Sequence, residues 1–566
     1  MIINSRSNYK KRDLIQLLCG IIIITLLNII GSFAFQRFDL TSEKRFTLSK
    51  ATKDLVKNLD DIVYVKVYLE GDFPASYKRL RNATKEMLDE FRAISKENIQ
   101  YEFINPSADP DEKRRREIYE QLTKQGLQYT NLQVKESGGK SEKIIFPGAI
   151  ITYKGRETPL QLLKSQMGAH PEEMINNSIQ QLEYEITNSI RKLTIDNKPQ
   201  IAFIEGHGEL TETEVKDITL SLNEYYDVKR VRIDEKLRAL RDFKAVIIAK
   251  PDSAFSDKDK FIIDQFIMSG GKVLWLIDAS DASMDSLVNS NLTMAVTRDL
   301  RLDDQLFKYG ARINYNLVQD LQSAPIPIVI GYIGNQPQQK LFPWLYFPLL
   351  VSTSTHPIVN NLNAVKAEFI STIDTVGSSN IKKTVLLHTS KYTKIVNSPV
   401  RISLNLLRDE PQPEQFNKPN QPVALLLEGE FESVFLNRMV PQIAESKEIG
   451  FKGRSPATKM IVVADGDIIK NDIQKSTGKF YPLGYDRFTG EIYGNKNFIL
   501  NAVNYLCDDS GLIAVRSREL KLRLLDNTKV VEERFKWQFI NTTLPILLVL
   551  LFGIVHYFIR KRKYAV

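Results

Sequence analysis

Cysteine is nearly absent from this 566-residue chain, which contains two. Cys19 lies in an apolar run near the N-terminus and Cys507 lies far along the chain, so we do not expect them to meet. A disulfide framework is therefore excluded, and a chain of this length can bury cores large enough to fold without one. At about 100–200 residues per domain, two to four domains are expected.

A phosphate-binding loop is also missing. No G-x-x-x-x-G-K-[ST] segment occurs, and that loop is what cradles the phosphates in P-loop ATPases. The chain is therefore not expected to supply an ATPase step. Two apolar runs, described below, are too few to form a translocation path alone.

A strongly basic body is missing as well. The net charge is +9, but residues 1–13 carry +3 and residues 560–566 carry +4, which leaves +2 for everything between them. The alkaline pI thus belongs to the two ends and does not mark a nucleic-acid surface. We expect no nucleic-acid partner.

Two long uncharged apolar runs are present, Leu14–Phe35 and Phe539–Ile559. Each is long enough for a helix to cross a bilayer, which takes ~20 residues. Basic residues flank the outer side of each run, so the positive-inside rule places both tails, 1–13 and 560–566, in the cytoplasm. The rest is then a periplasmic body held at the inner (cytoplasmic) membrane by both ends.

The first run has a competing interpretation as a cleaved signal peptide, because Ser32 and Ala34 form a small-x-small site. Its apolar core is longer than the ~7–15 residues usual in such peptides. We therefore favour an uncleaved anchor, and the mass of the mature N-terminus would decide between the two.

Residues 36–195 alternate helical and strand patterns. Ser49 is a good N-cap for a helix at 50–59. Further predicted elements are strand 62–69, helix 76–94, strand 99–104, helix 111–124, strands 127–135 and 143–153, and helix 171–193. From the first strand onward, this is the element order of a thioredoxin-like α/β domain. Redox enzymes of that fold carry cysteines after the first strand, where this chain has Glu70-Gly71-Asp72-Phe73-Pro74, so thiol–disulfide chemistry is excluded.

Residues 198–510 form a second predicted α/β domain with insertions. Strands at 201–204, 228–233, 245–249 and 272–277 alternate with helices at 211–225 and 257–268, which predicts an open, mostly parallel sheet. Ligands of such sheets bind beyond the carboxyl ends of the strands. The candidate binding residues at that edge are Glu205, His207, Glu209 and Asp278, with Asp465 and Asp467 after a later strand at 459–464.

The middle of this domain is harder to assign. Five prolines are predicted to break any long element there: Pro325, Pro327, Pro337, Pro343 and Pro348. The Pro-, Gln- and Asn-rich stretch 409–422 is predicted to be an exposed loop. A strand at 423–427, a helix at 496–506 and a charged helical stalk at 511–538 complete the prediction.

Five segments carry a family resemblance by their order and spacing. They are Arg37–Ser49, Phe203–Glu209, Leu425–Phe435, Val462–Asp467 and Gly494–Leu506. Together with both apolar runs they resemble GldG, the gliding-motility-associated ABC transporter auxiliary family of Bacteroidetes. The resemblance implies partnership with a separate ABC ATPase and a multi-span permease. It also implies that the second domain is similar to the class I glutamine-amidotransferase-like fold.

That implied fold raises an enzyme as the alternative. An amidotransferase-like site needs a nucleophilic cysteine activated by a histidine. The turns at 250–253 and 278–280 contain serine but no cysteine. A membrane-tethered serine-based or degenerate hydrolase is thus the alternative to a non-catalytic periplasmic subunit that binds a partner or substrate.

Glu205, His207 and Glu209 also have the chemistry of a zinc or manganese site. On a strand these residues would share one face, but the glycines between them turn the chain. We interpret the glycines as permitting a tight turn and the acids as capping the next helix. Asp465 and Asp467 are interpreted as orienting a turn, and we expect neither a metal nor another cofactor.

Overall fold

The computed structural model describes residues 3–33, 47–136, 139–164, 170–234, 236–290, 292–334, 336–377, 380–408, 410–436, 438, 450–474, 476–517 and 527–564. The chain divides into two compact units, Met1–Arg518 and Glu519–Val566. Most of the segment 37–49, the start of the turn at 137–139 and residues 518–526 of the predicted stalk lie outside the described residues.

The first part of the chain carries a helix, α1 (Ile3–Phe33), and then an α/β body. That body consists of α2 (Lys50–Lys57), β1 (Val63–Val67), α3 (Ala75–Ile94), β2 (Ile99–Phe103), α4 (Glu112–Lys124), β3 (Thr130–Glu136), β4 (Gly139–Ile145), β5 (Gly148–Tyr153), β6 (Arg156–Gln161) and α5 (Pro171–Thr194). The sheet order is β2-β1-β5-β6, with β1 and β2 parallel and β5 antiparallel to both of its neighbours. The hairpin β3–β4 forms a separate two-stranded sheet.

Local sequence explains most of these elements. Ser49 is the predicted N-cap, and its Oγ accepts a hydrogen bond from Thr52 N at 3.1 Å. The predicted strand at 143–153 is wrong in one respect, because Pro147 divides it into β4 and β5. Proline lacks an N–H for a ladder, and the chain turns there, with Gly148 N donating to Phe146 O at 2.8 Å. The strand β6 was not predicted.

The second α/β region begins with alternating strands and helices: β7 (Gln200–Glu205), α6 (Lys216–Leu222), β8 (Asp227–Arg232), β9 (Ala245–Ala249), α7 (Asp257–Met268) and β10 (Lys272–Leu276). The strand at 245–249 and the helix at 257–268 have the predicted bounds. The helix predicted at 211–225 is shorter than expected, because residues 212–215 form turns before α6 begins.

A long insertion follows, made of small sheets except for β19, which joins the main sheet. Its elements are β11 (Ser280–Asp281), α8 (Met284–Ser290), β12 (Leu292–Thr297), α9 (Asp303–Tyr309), β13 (Ala311–Ile313), β14 (Asn316–Asp320), β15 (Ser323–Ile333), β16 (Gln336–Leu350), β17 (Val365–Lys366), β18 (Ile373–Thr375), β19 (Lys382–His388), β20 (Thr393–Asn397) and β21 (Val400–Ser403).

The strands β15 and β16 form a long antiparallel ribbon, residues 323–350, and this overturns the prediction that prolines break the middle of the domain. Pro325 lies opposite Pro343, and Pro337 lies opposite Tyr332. Each strand of a two-stranded ribbon has a free edge, and a proline fits where its nitrogen faces that edge. We call residues 327–334 and 336–342 the ribbon tip.

The main sheet is completed by β22 (Pro422–Gly429), β23 (Thr458–Val463) and the helix α10 (Asn495–Cys507). Its seven strands are ordered β19-β22-β23-β10-β9-β7-β8. The five strands from β23 to β8 are parallel, and β22 is antiparallel to its neighbours, which confirms the predicted mostly parallel sheet. One hydrophobic core covers this sheet, and a separate core underlies the N-terminal sheet.

The C-terminal unit contains α11 (Asn527–Glu532) and α12 (Arg534–Tyr564). Within the described residues, Arg534–Arg562 is the helix that is long and apolar enough to cross a membrane by length and composition. The apolar part of α1, Leu14–Ile29, is shorter. The second predicted span is therefore matched in length and composition, whereas the first stays a prediction.

Candidate functional site

The carboxyl edge of the main sheet contains the point at which the strand order reverses. The chain runs from β7 outward to β8 on one side and to β9, β10 and β23 on the other. In open α/β sheets, ligands bind at such a reversal beyond the carboxyl ends of the strands. All six candidate residues lie at these strand ends or in the turns after them, but the structure separates them into distinct clusters.

The first cluster surrounds Lys250, the residue that follows β9. Its Nζ lies 3.2 Å from Asp278 Oδ2 and forms a closer ion pair with Asp467 Oδ2. Lys250 adopts a φ of +53°, a left-handed conformation that is uncommon for a residue other than glycine. The turns after three adjacent parallel strands thus each contribute one member of this cluster. The left-handed backbone at Lys250 is part of the turn that brings its side chain to the two carboxylates.

Backbone amides hold the carboxylates of this cluster in place. Gly466 N donates to Asp278 Oδ1 at 2.6 Å, and Asp467 N donates to Asp465 Oδ1 at 2.7 Å. The other oxygen of Asp465 accepts from Glu368 N at 2.8 Å, which ties the insertion to the sheet edge. A side chain at Gly466 would place its Cβ 2.4 Å from Lys250 Cβ, so only glycine fits beside the lysine.

Burial and mutual repulsion set the protonation of these acids. Burial raises the pKa of Asp465 well above its ordinary value, and the charges of Asp467 and Asp278 raise it further. Burial also raises the pKa of Asp278, against the opposing effect of the Lys250 charge. Burial lowers the pKa of Lys250, but Asp278 and Asp467 more than reverse this, so the ammonium stays charged.

The three aspartates of this cluster have the donor chemistry of a cation site. One carboxylate oxygen from each of Asp278, Asp465 and Asp467 lies within 4.8 Å of the others. However, the Lys250 ammonium already pairs with two of them, and a divalent ion would have to displace it. The arrangement fits a built-in lysine counter-ion, and we assign no metal to it.

The second cluster surrounds His207, in the turn after β7. Its Nδ1 lies 3.1 Å from Glu209 Oε1, its Nε2 lies 3.2 Å from Asp259 Oδ2, and its ring stacks on Phe255 at 3.7 Å between centroids. The side chain is buried, with 6% of the residue exposed. Burial lowers the pKa of His207, but the hydrogen bonds and charges of Glu209 and Asp259 outweigh it, and the net shift is upward.

The turn that carries His207 is packed tightly against the turn after β9. Gly206 and Gly208 adopt φ of +125° and +74°, as the predicted tight turn requires. The backbone amides of Asp252 and Ser253 donate to His207 O at 2.9 and 3.0 Å. A Cβ at Gly208 would lie 1.6 Å from Asp252 Oδ1, so a larger residue at this position would displace the Asp252 carboxylate from its place between the two turns.

The candidate residue Glu205 does not join His207. Its carboxylate pairs closely with Arg230 of the neighbouring strand β8. Glu209 accepts a hydrogen bond from His207 N at 2.7 Å, and α6 has no side-chain cap, so the predicted capping of the next helix by these acids is wrong. The turn closes on itself instead, because both oxygens of Glu209 bond to His207, one to its backbone N–H and one to its ring.

Neither candidate serine is placed to be a nucleophile. Ser253 Oγ donates to Asp252 Oδ1 at 2.6 Å, and Ser280 Oγ donates to Ser398 Oγ at 3.3 Å. Both ring nitrogens of His207 face carboxylates, so neither is left to accept a proton from a serine.

Two members of these clusters were missed by sequence reasoning. The serine of the turn Lys250–Ser253 suggests a nucleophile, but a lysine directly after a fully apolar strand is a signal for an ion pair at the sheet edge. Asp259 lies in the first turn of α7, where an acid is expected for favourable interaction with the helix dipole. Nothing in that pattern points to a histidine 52 positions earlier.

Most of the body matches two known protein families. The family described as "ABC-type uncharacterized transport system" (auxiliary component) matches residues 198–502, which contain every strand of the main sheet and its insertion. A second family, a domain of unknown function (DUF7088), matches residues 42–152. The chain is also 22% identical over 575 residues to an uncharacterized protein of Borreliella burgdorferi, across 98% of this chain and 99% of that one.

Two solved structures align with parts of the chain. The mmIFT52 N-terminal domain is 14% identical with a TM-score of 0.30, covering 54% of this chain and 97% of that domain. The exo-beta-1,4-mannosidase Op5Man5 from Opitutaceae bacterium strain TAV5 is 11% identical with a TM-score of 0.19, covering 68% of this chain and 45% of the enzyme. Alignments at these scores carry no information about what this chain does.

Proposed function

This chain belongs to the auxiliary family of ABC-type transport systems, and we propose that it is a non-catalytic subunit that is anchored in the inner membrane and binds a partner or substrate on the periplasmic side. Its partners are a separate ABC ATPase and a multi-span permease. The link to gliding motility rests on the sequence resemblance to the GldG family alone.

One observation carries the non-catalytic part of this proposal. At the edge where α/β enzymes place their reactive groups, two basic side chains pair with carboxylates of the same chain: Lys250 with Asp278 and Asp467, and His207 with Glu209 and Asp259. A histidine with both nitrogens engaged cannot act as a general base without rearrangement. These pairs support a structural or binding edge over a catalytic one.

The apolar ends support the anchoring part. The helix Arg534–Arg562 has the length and composition of a span, and the basic residues 560–563 follow its apolar core. With the N-terminal run Leu14–Phe35 as the other span, both termini are cytoplasmic and the body is periplasmic.

The two sheet orders support the fold assignments made from the sequence. In residues 36–195, the order β2-β1-β5-β6 with one parallel pair is compatible with a thioredoxin-like domain that lacks redox cysteines. In the main sheet, β8-β7-β9-β10-β23 is the 2-1-3-4-5 order of flavodoxin-like sheets, which is compatible with an amidotransferase-like domain.

Copurification tests the proposed assembly. The full chain, carrying an affinity tag, is purified from native membranes in mild detergent beside an unrelated tagged two-span protein as control. An ATPase with a phosphate-binding loop and a multi-span permease are expected to be enriched with this chain only. Equal recovery of both with the control would contradict the proposal.

The hydrolase alternative has its own test. The purified full chain is assayed on amide and ester substrates beside Ser253→Ala and Ser280→Ala variants. We expect no hydrolysis that either substitution removes, because among the described residues the hydroxyl of each serine bonds to a neighbour other than histidine. Hydrolysis lost in one variant would establish the enzyme in place of the non-catalytic subunit.

A further inference from the structure

The ribbon tip is apolar and exposed. Five of its large apolar side chains are 40–71% exposed: Val329, Ile330, Tyr332, Ile333 and Leu341. In the whole ribbon, residues 323–350, Lys340 is the single charged residue, whereas 26% of the chain is charged. Exposed apolar patches of this kind mark surfaces that contact a protein or a membrane.

The root of the ribbon is fixed, so the tip is a projecting element and not a loose loop. Trp344, Tyr346 and Phe347 of β16 are buried in a hydrophobic cluster of the insertion. Gln319 Nε2 also donates to Tyr346 Oη at 2.8 Å. The tip therefore extends from an ordered base, held by its own backbone ladder.

Both faces of the tip expose a large apolar side chain. Tyr332 and Ile333 are consecutive residues in regular pairing, opposite Pro337 and Gln336, so their side chains point to opposite faces of the ribbon. They are 71% and 68% exposed. A folded protein that docks on one face would leave the other in water, whereas a fluid apolar layer covers both faces and both free edges at once.

We propose that the ribbon tip inserts into the interfacial layer of the lipid bilayer. This inference rests on the membrane anchoring in the proposed function, because a chain held at the bilayer keeps the lipid surface at high effective concentration. Weak partitioning of a few apolar side chains is then enough to hold the body against the membrane.

The composition of the tip also determines how deeply it inserts into the bilayer. Tyrosine favours the membrane interface, where its ring is apolar and its hydroxyl stays hydrated. Three amides on β16, Gln336, Gln338 and Gln339, need hydrogen-bond partners that the hydrocarbon core lacks. The tip therefore stops at the level of the headgroups and upper acyl chains, about 5–10 Å deep, with Lys340 near the lipid phosphates.

Fluorescence quenching by brominated lipids tests this insertion. The full chain is reconstituted into phosphatidylcholine–phosphatidylglycerol vesicles whose acyl chains carry bromine at shallow or deep positions. Tyr332→Trp reports on the tip, and Tyr392→Trp, 56% exposed near the ribbon root, is the matched control. Both are made in a Trp537→Phe background, which leaves only the buried Trp275 and Trp344.

We expect shallow bromines to quench the Tyr332→Trp variant at least twofold, deep bromines to quench it less, and neither to quench the Tyr392→Trp variant beyond the background. Absence of quenching in the Tyr332→Trp variant would overturn the proposal, as would equal quenching of the two variants. If a partner protein or a second copy covers the tip, the emission of the Tyr332→Trp variant is blue-shifted without quenching, which also overturns it. The copurification test is independent, so failure of the assembly and failure of the insertion are distinguishable.

Discussion

Two basic side chains, the partly buried Lys250 and the buried His207, lie beyond the carboxyl ends of one sheet, each between two carboxylates of the same chain. Lys250 keeps its charge across the physiological range, because Asp278 and Asp467 raise its pKa despite burial. His207 has a pKa that is raised but titratable, so it loses its charge as the pH increases. One sheet edge thus combines a lysine whose charge does not change in this range with a histidine whose charge depends on pH.

Removing the permanent cation is the strongest test of this comparison. Lys250→Met leaves the buried Asp278 and Asp465 and the partly buried Asp467 without their counter-ion, and the expected loss is about 3–5 kcal/mol in the free energy of unfolding. Urea denaturation of the full chain in detergent measures it. The exposed Lys236→Met is the matched control and should stay within about 0.5 kcal/mol of the wild type. A loss under about 1 kcal/mol for Lys250→Met would mean that protons, not the lysine, neutralise the aspartates.

Disturbing the contact between the two turns by substituting Gly208 should have the next largest effect on stability. Gly208→Ala combines a positive φ with a Cβ only 1.6 Å from Asp252 Oδ1, so we expect a loss of about 2–3 kcal/mol by urea denaturation. Gly206→Ala is the matched control: it also has a positive φ, but its nearest neighbour is 3.7 Å away, so about 1 kcal/mol is expected. Equal losses for the two variants would show that backbone strain alone, and not the contact between turns, matters here.

The contribution of the His207 cluster to stability should depend on pH. A histidine whose pKa is raised on folding contributes stability that is present below its unfolded pKa of about 6.5 and is lost as the pH rises through the folded pKa. His207→Gln should therefore cost about 1–2 kcal/mol near pH 6 and progressively less at higher pH. Thermal unfolding of the full chain at several pH values measures this difference.

His356 is the control with the opposite sign. Burial lowers its pKa, so its contribution to stability is lost as the pH falls toward and below 6.5. The effect of His356→Gln should therefore not decrease with rising pH as that of His207→Gln does. If the His207→Gln difference stayed constant from about pH 6 to about pH 9, the titration assigned to this cluster would be wrong.

Replacing Glu205, the acid outside both clusters, should have the smallest effect on stability. Glu205 pairs with Arg230 while partly exposed, and such pairs contribute about 0.2–1 kcal/mol. Glu205→Gln should therefore lower the urea midpoint slightly at every pH. A loss comparable to that of Lys250→Met would show that Glu205 belongs to the charge network after all.

The local elements of the main sheet could be predicted because the pattern that defines them is local. The strand at 245–249 is apolar throughout, and the helix at 257–268 starts at Ser256, whose Oγ accepts from Asp259 N. The rule on carboxyl ends of parallel strands then located the candidate residues. The pairing of Lys250 with Asp467 could not be predicted, since the two are 217 positions apart. The hydrophobic periodicity of a sequence predicts individual strands but not their order in the sheet.

The ribbon shows the limit of single-residue rules. Prolines predicted a broken segment, yet Pro325, Pro337 and Pro343 occupy paired positions in a long antiparallel ribbon, which has a register shift beside Pro325. The preference of proline against strands applies to central strands, and whether a strand is central depends on partners that one sequence does not reveal.

The position of β23 also has a consequence for the order of folding. The contact between Gly466 and Asp278 spans 188 positions, so the Lys250 cluster forms only after the whole insertion has been synthesised. Until then, the apolar strand β10 has one unpaired edge, next to the place that β23 will take. Long-range pairing of this kind is slow, and an unpaired apolar edge is prone to wrong partners. The last strand thus both closes the sheet and ends the interval in which the nascent chain needs protection.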